Sequence, residues 1–336
     1  MLLHANALRI YVFLAHRVET NLSKFDAVFV GLTTLDISGR PVSAIPEGGG
    51  VAFIEEIRLN PAGTAAGAVM NAAKLGIRCA TVACVGQDEK GDFIADVYRR
   101  KGIDCSMLQR SQRSATSATI LPIRPDGSRP ALHARGASDD LFIADDQFDA
   151  VCDARFLHHG GTGLLKAMDQ GQSARLLQHA KQSGLVTSFD LIAPNAHTRG
   201  MLDTLLPHVD YFMPSMEEAF FLSGTSSPAD AARYFLDRGA GTCIFKWGAK
   251  GSYIQAKSET FHVPAFRVQV SDTCGCGDSY CGGFIAALVK GWGLRQACTL
   301  ASAVSALVAS GLGSDAGVVD FAETLAFMHS ASILEA

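Results

Sequence analysis

The sequence predicts an α/β fold: a central, mostly parallel β-sheet covered by helices, with a smaller, discontinuous β-sheet standing over one end of it. Three observations carry that expectation. Apolar runs of strand length alternate with segments of helical period along most of the 336 residues. The runs are apolar at successive positions rather than at every second one, as in strands buried on both faces. Two segments, 51–59 and 117–135, break the alternation.

Taken in order, residues 1–23 stand apart. "ALRIYVFLAHRVE" holds an apolar run too short to span a bilayer, and no Lys or Arg precedes it to make a signal-peptide head. This segment is expected to be an N-terminal extension, with one domain over 24–330. "FDAVFVGL" (25–32) is the first strand, "AGAVMNAAKLG" a helix, "CATVACVG" (79–86) a strand and "KGDFIADVYRRKGI" a helix. Further strands are "ARFLHHGG" (154–161), "GLVTSFDL" (184–191), "VDYFMPS" (209–215) and "GTCIFKWG" (241–248). The helices among them are "GQSARLLQHAKQSG", "TRGMLDTLLPH", "MEEAFFLSG" and "PADAARYFLDRGA". From about 278 to 310 the chain reads as two helices.

The irregular segments read as the small sheet. "VAFIEEIRL" (51–59) is apolar at 51, 53, 57 and 59, a strand period. "SATILPIRPDGSRPALHAR" (117–135) reads as two strands around a Pro125-Asp126-Gly127 turn.

Composition narrows the function classes. Hydrophobic residues make up 48% and charged residues 18%, which fits a globular protein. A net charge of −4 offers no basic surface to nucleic acid or anionic membrane. Nine cysteines, an odd number scattered through a long chain, fit reduced thiols in a cytoplasm.

The chemistry concentrates in "SDTCGCGDSYCGG" (271–283), which follows the strand-like "FRVQV" and opens a helix. Gly275 and Gly277 permit a sharp turn and close approach of a ligand. The amides of Cys276, Gly277 and Asp278 would leave a helix N-terminus suited to an anion. Asp278, beside such an anion, could take a proton from an attacking hydroxyl. Asp is also a common helix cap, and these residues alone leave both readings open. A zinc site at Cys274, Cys276 and Cys281 would need a fourth ligand, and Cys281 falls inside the helix. Elsewhere, "GQDEKGD" (86–92) has the glycines of a phosphate loop but Asp92 where its lysine would stand. "GLTTLD" after the first strand lacks the dinucleotide glycines, which removes most support for a dehydrogenase.

D-T-x-G-x-G-D opening a C-terminal helix resembles the signature of the ribokinase-like (PfkB) carbohydrate kinases. "NPAGTAAGAVMNAAKLG", "VGQDEKGDF", "VDYFMPSMEEA" and "KWGAKGSYI" resemble further elements of that family, in its order, from about residue 24 to about 320. Three positions depart from it. Ala62 replaces the first of two paired glycines, Gly67 stands where many members have a sugar-contacting asparagine, and Ser215 replaces the asparagine of N-x-x-E.

The resemblance implies a ribokinase-like three-layer sandwich whose β-lid is inserted at about 37–60 and 115–136. It implies an ATP-dependent phosphotransferase acting on a hydroxyl of a small sugar or sugar acid. Asp278 would be the general base, with Gly275, Cys276 and Gly277 forming the anion site. Substrate would meet Asp36, Gly63, Thr64 and Gly67. Lys246, Gly248, Gly251 and Ser215 would serve the nucleotide, and Glu218 would hold Mg²⁺ through water. Asp272 and Cys274, opposite the "SGLGS" loop, would lie near a monovalent cation such as K⁺. A homodimer through the lid is also implied.

Each carried residue has a plainer alternative: Asp36 as a solvated loop acid, Gly63 and Gly67 as packing positions, and Glu218 as a helix-start charge. The 246–251 loop could be an ordinary hairpin turn, and His158 and His159 core or rim residues. At the level of function the alternatives are a nucleoside (adenosine-like) kinase and a non-catalytic sugar- or nucleotide-binding relative. The latter's sign would be loss of the base, and Asp278 is present.

Overall fold

The computed structural model describes residues 23–334, so the expected extension over 1–23 lies, but for Ser23, outside them. The central sheet has eight strands in the order β14-β13-β12-β11-β10-β9-β1-β4. Six are parallel: β4 (Cys79–Val82), β1 (Phe25–Gly31), β9 (Ala154–Thr162), β10 (Val186–Leu191), β11 (Tyr211–Phe212) and β12 (Thr242–Lys246). β13 (Ser252–Ala256) and β14 (Thr260–Val263) add an antiparallel meander at one edge.

Continuous apolar runs make these strands because both faces are covered. Along β1, Val28 and Val30 join one core while Ala27 and Phe29 join the other. The first core packs α4 (Gln172–Gln182), α5 (Ala196–Leu205), α6 (Met216–Ser223) and α7 (Pro228–Leu236) on one face, with the one-turn α3 (Phe148–Val151). The second packs α1 (Thr64–Lys74), α2 (Glu89–Arg100), α8 (Cys276–Val289) and α9 (Leu294–Ala309) on the other. α10 (Phe321–Ser330) closes the chain against α9. This is the three-layer arrangement expected. Among the described residues no helix is long and apolar enough to cross a membrane.

A separate four-stranded sheet has the order β3-β2-β7-β8, formed by β2 (Thr34–Arg40), β3 (Glu56–Ala62), β7 (Ala118–Pro122) and β8 (Leu132–Ala134). The expected turn at 125–127 connects β7 to β8, with Gly127 N donating to Arg124 O.

Several boundaries differ from expectation. The lid starts at Thr34 rather than 37, which puts Asp36 within it. Its second strand runs over 56–62 rather than 51–59, because Glu56 pairs with Arg40 and the next partner, Pro41, has no N–H to continue the ladder. Val51 and Phe53 are left exposed. The run 79–86 breaks at Ala83, and β5 (Cys84–Gly86) turns away to pair with β6 (Gln109–Ser111). "FRVQV" is not a strand: only Phe266 bridges, to Ile333. No expectation covers β13, β14 or α10.

Candidate active site

The carboxyl ends of the parallel strands and the lid enclose one cavity of about 1330 Å³. From the lid side Asp36, Gly63 and Thr64 line it; from the opposite side Ser215, Glu218, Lys246, Gly248 and Gly251 do. Cys274, Gly275, Cys276, Gly277 and Asp278 line it between these two groups. Two expected site residues, Gly67 and Asp272, lie behind this lining.

The turn into α8 is built on Gly275, whose φ of 72° is left-handed and favours glycine. A Cβ there would stand 2.3 Å from Ser314 Cβ. No side chain caps this helix; Cys276 N donates to Thr273 O at 3.5 Å, and the Gly277 and Asp278 amides, on residues that line the cavity, have no backbone partner among the described residues. A helix N-terminus left open in this way suits an anion. Asp278, in the first turn, is partly buried; burial raises its pKa, opposed by Lys246 and reinforced by Asp36 and Glu218.

Gly67 touches the site from behind. A Cβ on it would lie 2.6 Å from Asp278 Cβ, so the missing side chain lets α1 seat against Asp278. Gly63 starts α1 with φ 100°, and a Cβ there would meet Leu32 O at 2.6 Å. Asp272 accepts from Cys274 N at 2.8 Å and Gly313 N at 3.1 Å, bracing the turn against the loop after α9.

Asp36 is buried, not a solvated loop acid. Cross-strand register sets Asn60, Asp36, Thr119 and His133 in one row across the lid, and the last three line the cavity. Burial pushes the Asp36 carboxyl up to about 6, against the opposing pull of hydrogen bonds from Thr119 and Cys274.

Glu218 completes a capping box. Its Oε2 accepts from Ser215 N at 2.8 Å, and its own N–H donates to Ser215 Oγ at 3.2 Å. Burial and nearby Asp190 raise its pKa, while Lys246 and Ser215 pull it down.

His158 and His159 are wholly buried in β9 and absent from the cavity wall. Burial holds them neutral, lowering them to about 3 and about 4. They are core residues.

The three motif cysteines do not converge. Cys274 Sγ faces Asp36 at 3.4 Å, whereas Cys281 Sγ faces Asp190 at 3.5 Å and Lys246 at 3.7 Å. Burial raises all three thiols, Cys276 to about 12.

Sequence reasoning missed Asp190 and Arg129. Asp190, the penultimate residue of β10, pairs with Lys246 at 2.5 Å. Arg129 reaches down from the lid to Thr273 Oγ1 at 3.2 Å and stands 3.8 Å from Asp272. The "SFDL" run carried a signal, because an acid closing a buried parallel strand stands where ligands bind in open α/β sheets.

Comparison with known proteins agrees with this fold. A family model described as pfkB family carbohydrate kinase matches residues 24–320. The 2-dehydro-3-deoxygluconokinase of Thermoproteus tenax is 29% identical over 77% of this chain and 81% of its own length. The ribokinase of Haemophilus influenzae is 26% identical over 80% and 87%. Among solved structures, an E. coli protein provisionally named ribokinase II, in complex with ATP and Mg²⁺, superposes with a TM-score of 0.79 at 24% identity. That match covers 91% of this chain and 99% of the other.

Proposed function

The chain belongs to the pfkB family of carbohydrate kinases, and from that premise we propose that it transfers the γ-phosphoryl group of ATP to a hydroxyl of a small sugar or sugar acid, with Asp278 as general base. The observation that carries this reading is Asp278 in the first turn of α8, beside open amides, in one cavity with Asp36 on one side and Lys246 on the other.

The acceptor lies under the lid at Asp36, Gly63 and Thr64, with Gly67 setting the depth of the pocket at Asp278. The nucleotide phosphates lie between the 246–251 loop, near Ser215, and the amides of 276–278. In the transfer, the bond from the γ-phosphorus to the ADP oxygen breaks and one to the acceptor oxygen forms. The hydroxyl proton passes to Asp278. The raised pKa of this carboxyl suits a base that must hold that proton. Preorganised amides stabilise charge on the group in transit.

Mg²⁺ keeps most of its water and needs only one or two carboxylates beside phosphate. Glu218, with Oε2 on the Ser215 amide, fits that demand through water. The ion would neutralise charge on the phosphates. A monovalent cation such as K⁺ beside Cys274 would use the buried Asp272 carboxylate in competition with two amides and with Arg129 at 3.8 Å.

We assign the kinase domain to 24–330, its lid to the segments around β2–β3 and β7–β8, and its location to the cytoplasm, where nine free thiols persist. The lid's outer face carries a second row, Leu59, Ile37, Ile120 and Leu132, with Leu59, Ile120 and Leu132 48%, 52% and 62% exposed. Ile37 packs against the second core, and the three exposed apolar residues beside it are a surface for association, which we assign to a lid-to-lid homodimer.

The test is a phosphorylation panel with ATP and Mg²⁺ on ribose, fructose, 2-dehydro-3-deoxygluconate and adenosine. Turnover is expected on a sugar or sugar acid. Turnover on adenosine alone would make the protein a nucleoside kinase, and binding of ATP without turnover on any acceptor would make it a non-catalytic relative.

A further inference from the structure

Lys246 ends β12 and Asp190 lies one residue before the end of β10, and these strands are not neighbours. β11 lies between β12 and β10, so their ends are about 10 Å apart at the usual strand spacing of ~4.8 Å. The Lys246 side chain crosses that interval. Its Nζ reaches Asp190 Oδ2 at 2.5 Å and Cys281 Sγ at 3.7 Å, and Cys281 Sγ lies 3.5 Å from the same carboxylate oxygen. The pair is nearly enclosed, with side-chain exposures of 12% for Lys246 and 2% for Asp190.

Such a pair is a poor device for stability. The desolvation of two charges commonly equals or exceeds their attraction, and apolar replacements are often as stable. A use for the ammonium is visible in its donors. It has three N–H groups. Asp190 accepts one and the Cys281 sulfur is in reach of a second; among the described residues no acceptor is present for the third. Lys246 lines the cavity, and a Cβ on Gly277 would stand 3.4 Å from its Nζ. The ammonium thus lies against the turn whose amides form the anion site. A lysine without such an anchor would extend toward water, as its long flexible stem allows.

We propose that Asp190 is a positioning residue that holds Lys246 across the end of β11, so that the remaining N–H meets the phosphoryl group in transit beside the 276–278 amides. Cys281 steadies the same clamp from α8. Lys246 neither gains nor loses a proton; the acceptor's proton goes to Asp278 as before. This deepens the kinase reading and rests on it.

The experiment compares wild type, Lys246→Met, Asp190→Asn and the double variant, on the acceptor that the wild type phosphorylates, measuring kcat, sugar KM and the thermal midpoint. Both single variants should lose on the order of 10²-fold in kcat, as when a preorganised charge-stabilising donor is removed, with sugar KM little changed. The double variant carries no unpaired buried charge. It should regain the wild-type midpoint but turn over no faster and no slower than Lys246→Met.

Recovery of kcat together with stability in the double variant would make the pair a structural ion pair and overturn the proposal. So would kcat losses that multiply, since Asp190 would then not act through Lys246, or a loss carried by sugar KM. Should Asp190→Asn fail to fold, equality of Lys246→Met and the double variant still decides. An inactive wild type overturns the kinase reading itself and the inference with it. An active wild type with unaffected variants overturns the inference alone.

Discussion

Asp36 sets binding against folding. Burial raises its carboxyl to about 6, above the ~3.9 of an unfolded chain. The folded protein therefore binds this proton more tightly than the unfolded chain does. The group favours folding fully below about pH 4, and that contribution is lost as pH rises through about 6. Asp36→Asn should raise the thermal midpoint at pH 8 and raise it less at pH 5. It should also weaken sugar binding roughly 10-fold, since a hydrogen bond to an ionised group is worth about 1–1.5 kcal/mol more than a neutral one. Calorimetry with thermal scans at the two pH values checks both halves, and unchanged affinity would remove Asp36 from the pocket. Asp36 and Asp278 were legible in the sequence because each follows a local pattern, a strand end or a glycine turn before a helix. The Asp190–Lys246 pair was not, because the partners are 56 residues apart and no local spacing links them, although Asp190 alone carries the same strand-end signal.

At the scale of elements, α6 shows one residue serving two ends. "SMEE" (215–218) spells a capping box, and the box forms. Glutamine at the third helical position closes the same box without the charge. Glu218→Gln should therefore keep the wild-type midpoint while raising the Mg²⁺ concentration for half-maximal rate roughly 10-fold or more, as for other outer-sphere metal partners. Glu218→Ala should lose both. Equal Mg²⁺ dependence in Glu218→Gln and wild type would leave Glu218 a cap and nothing more. Strand positions were legible where both faces are buried, as in β1, β9 and β10. They were misread where pairing rather than hydrophobicity decides: Pro41 stops the ladder before Val51 and Phe53, and 266–270 finds no neighbouring strand. β13 and β14 escaped because they are short, five and four residues, and neither is a continuous apolar run like the parallel strands before them.

At the scale of the molecule, the two faces of the lid divide the labour. Period-two alternation sends Asp36, Thr119 and His133 toward the cavity and Ile37, Ile120 and Leu132 away from it. Ile120→Lys, placed in the middle of the outer row, should convert the lid-to-lid dimer to a monomer in sedimentation velocity at micromolar concentration. A wild type that already sediments as a monomer would refute that dimer. The sandwich and its lid were legible from the alternation of elements and from the two segments that break it. The apolar outer row was not, because it exists only once four strands are in register. Everything in the cavity converges on α8, so the most direct measurement is kcat of Asp278→Asn against wild type, with ATP and Mg²⁺, on the acceptor the wild type uses. A loss on the order of 10²–10⁴ is predicted, with ATP and sugar affinities retained. Turnover near that of the wild type would contradict Asp278 as the base.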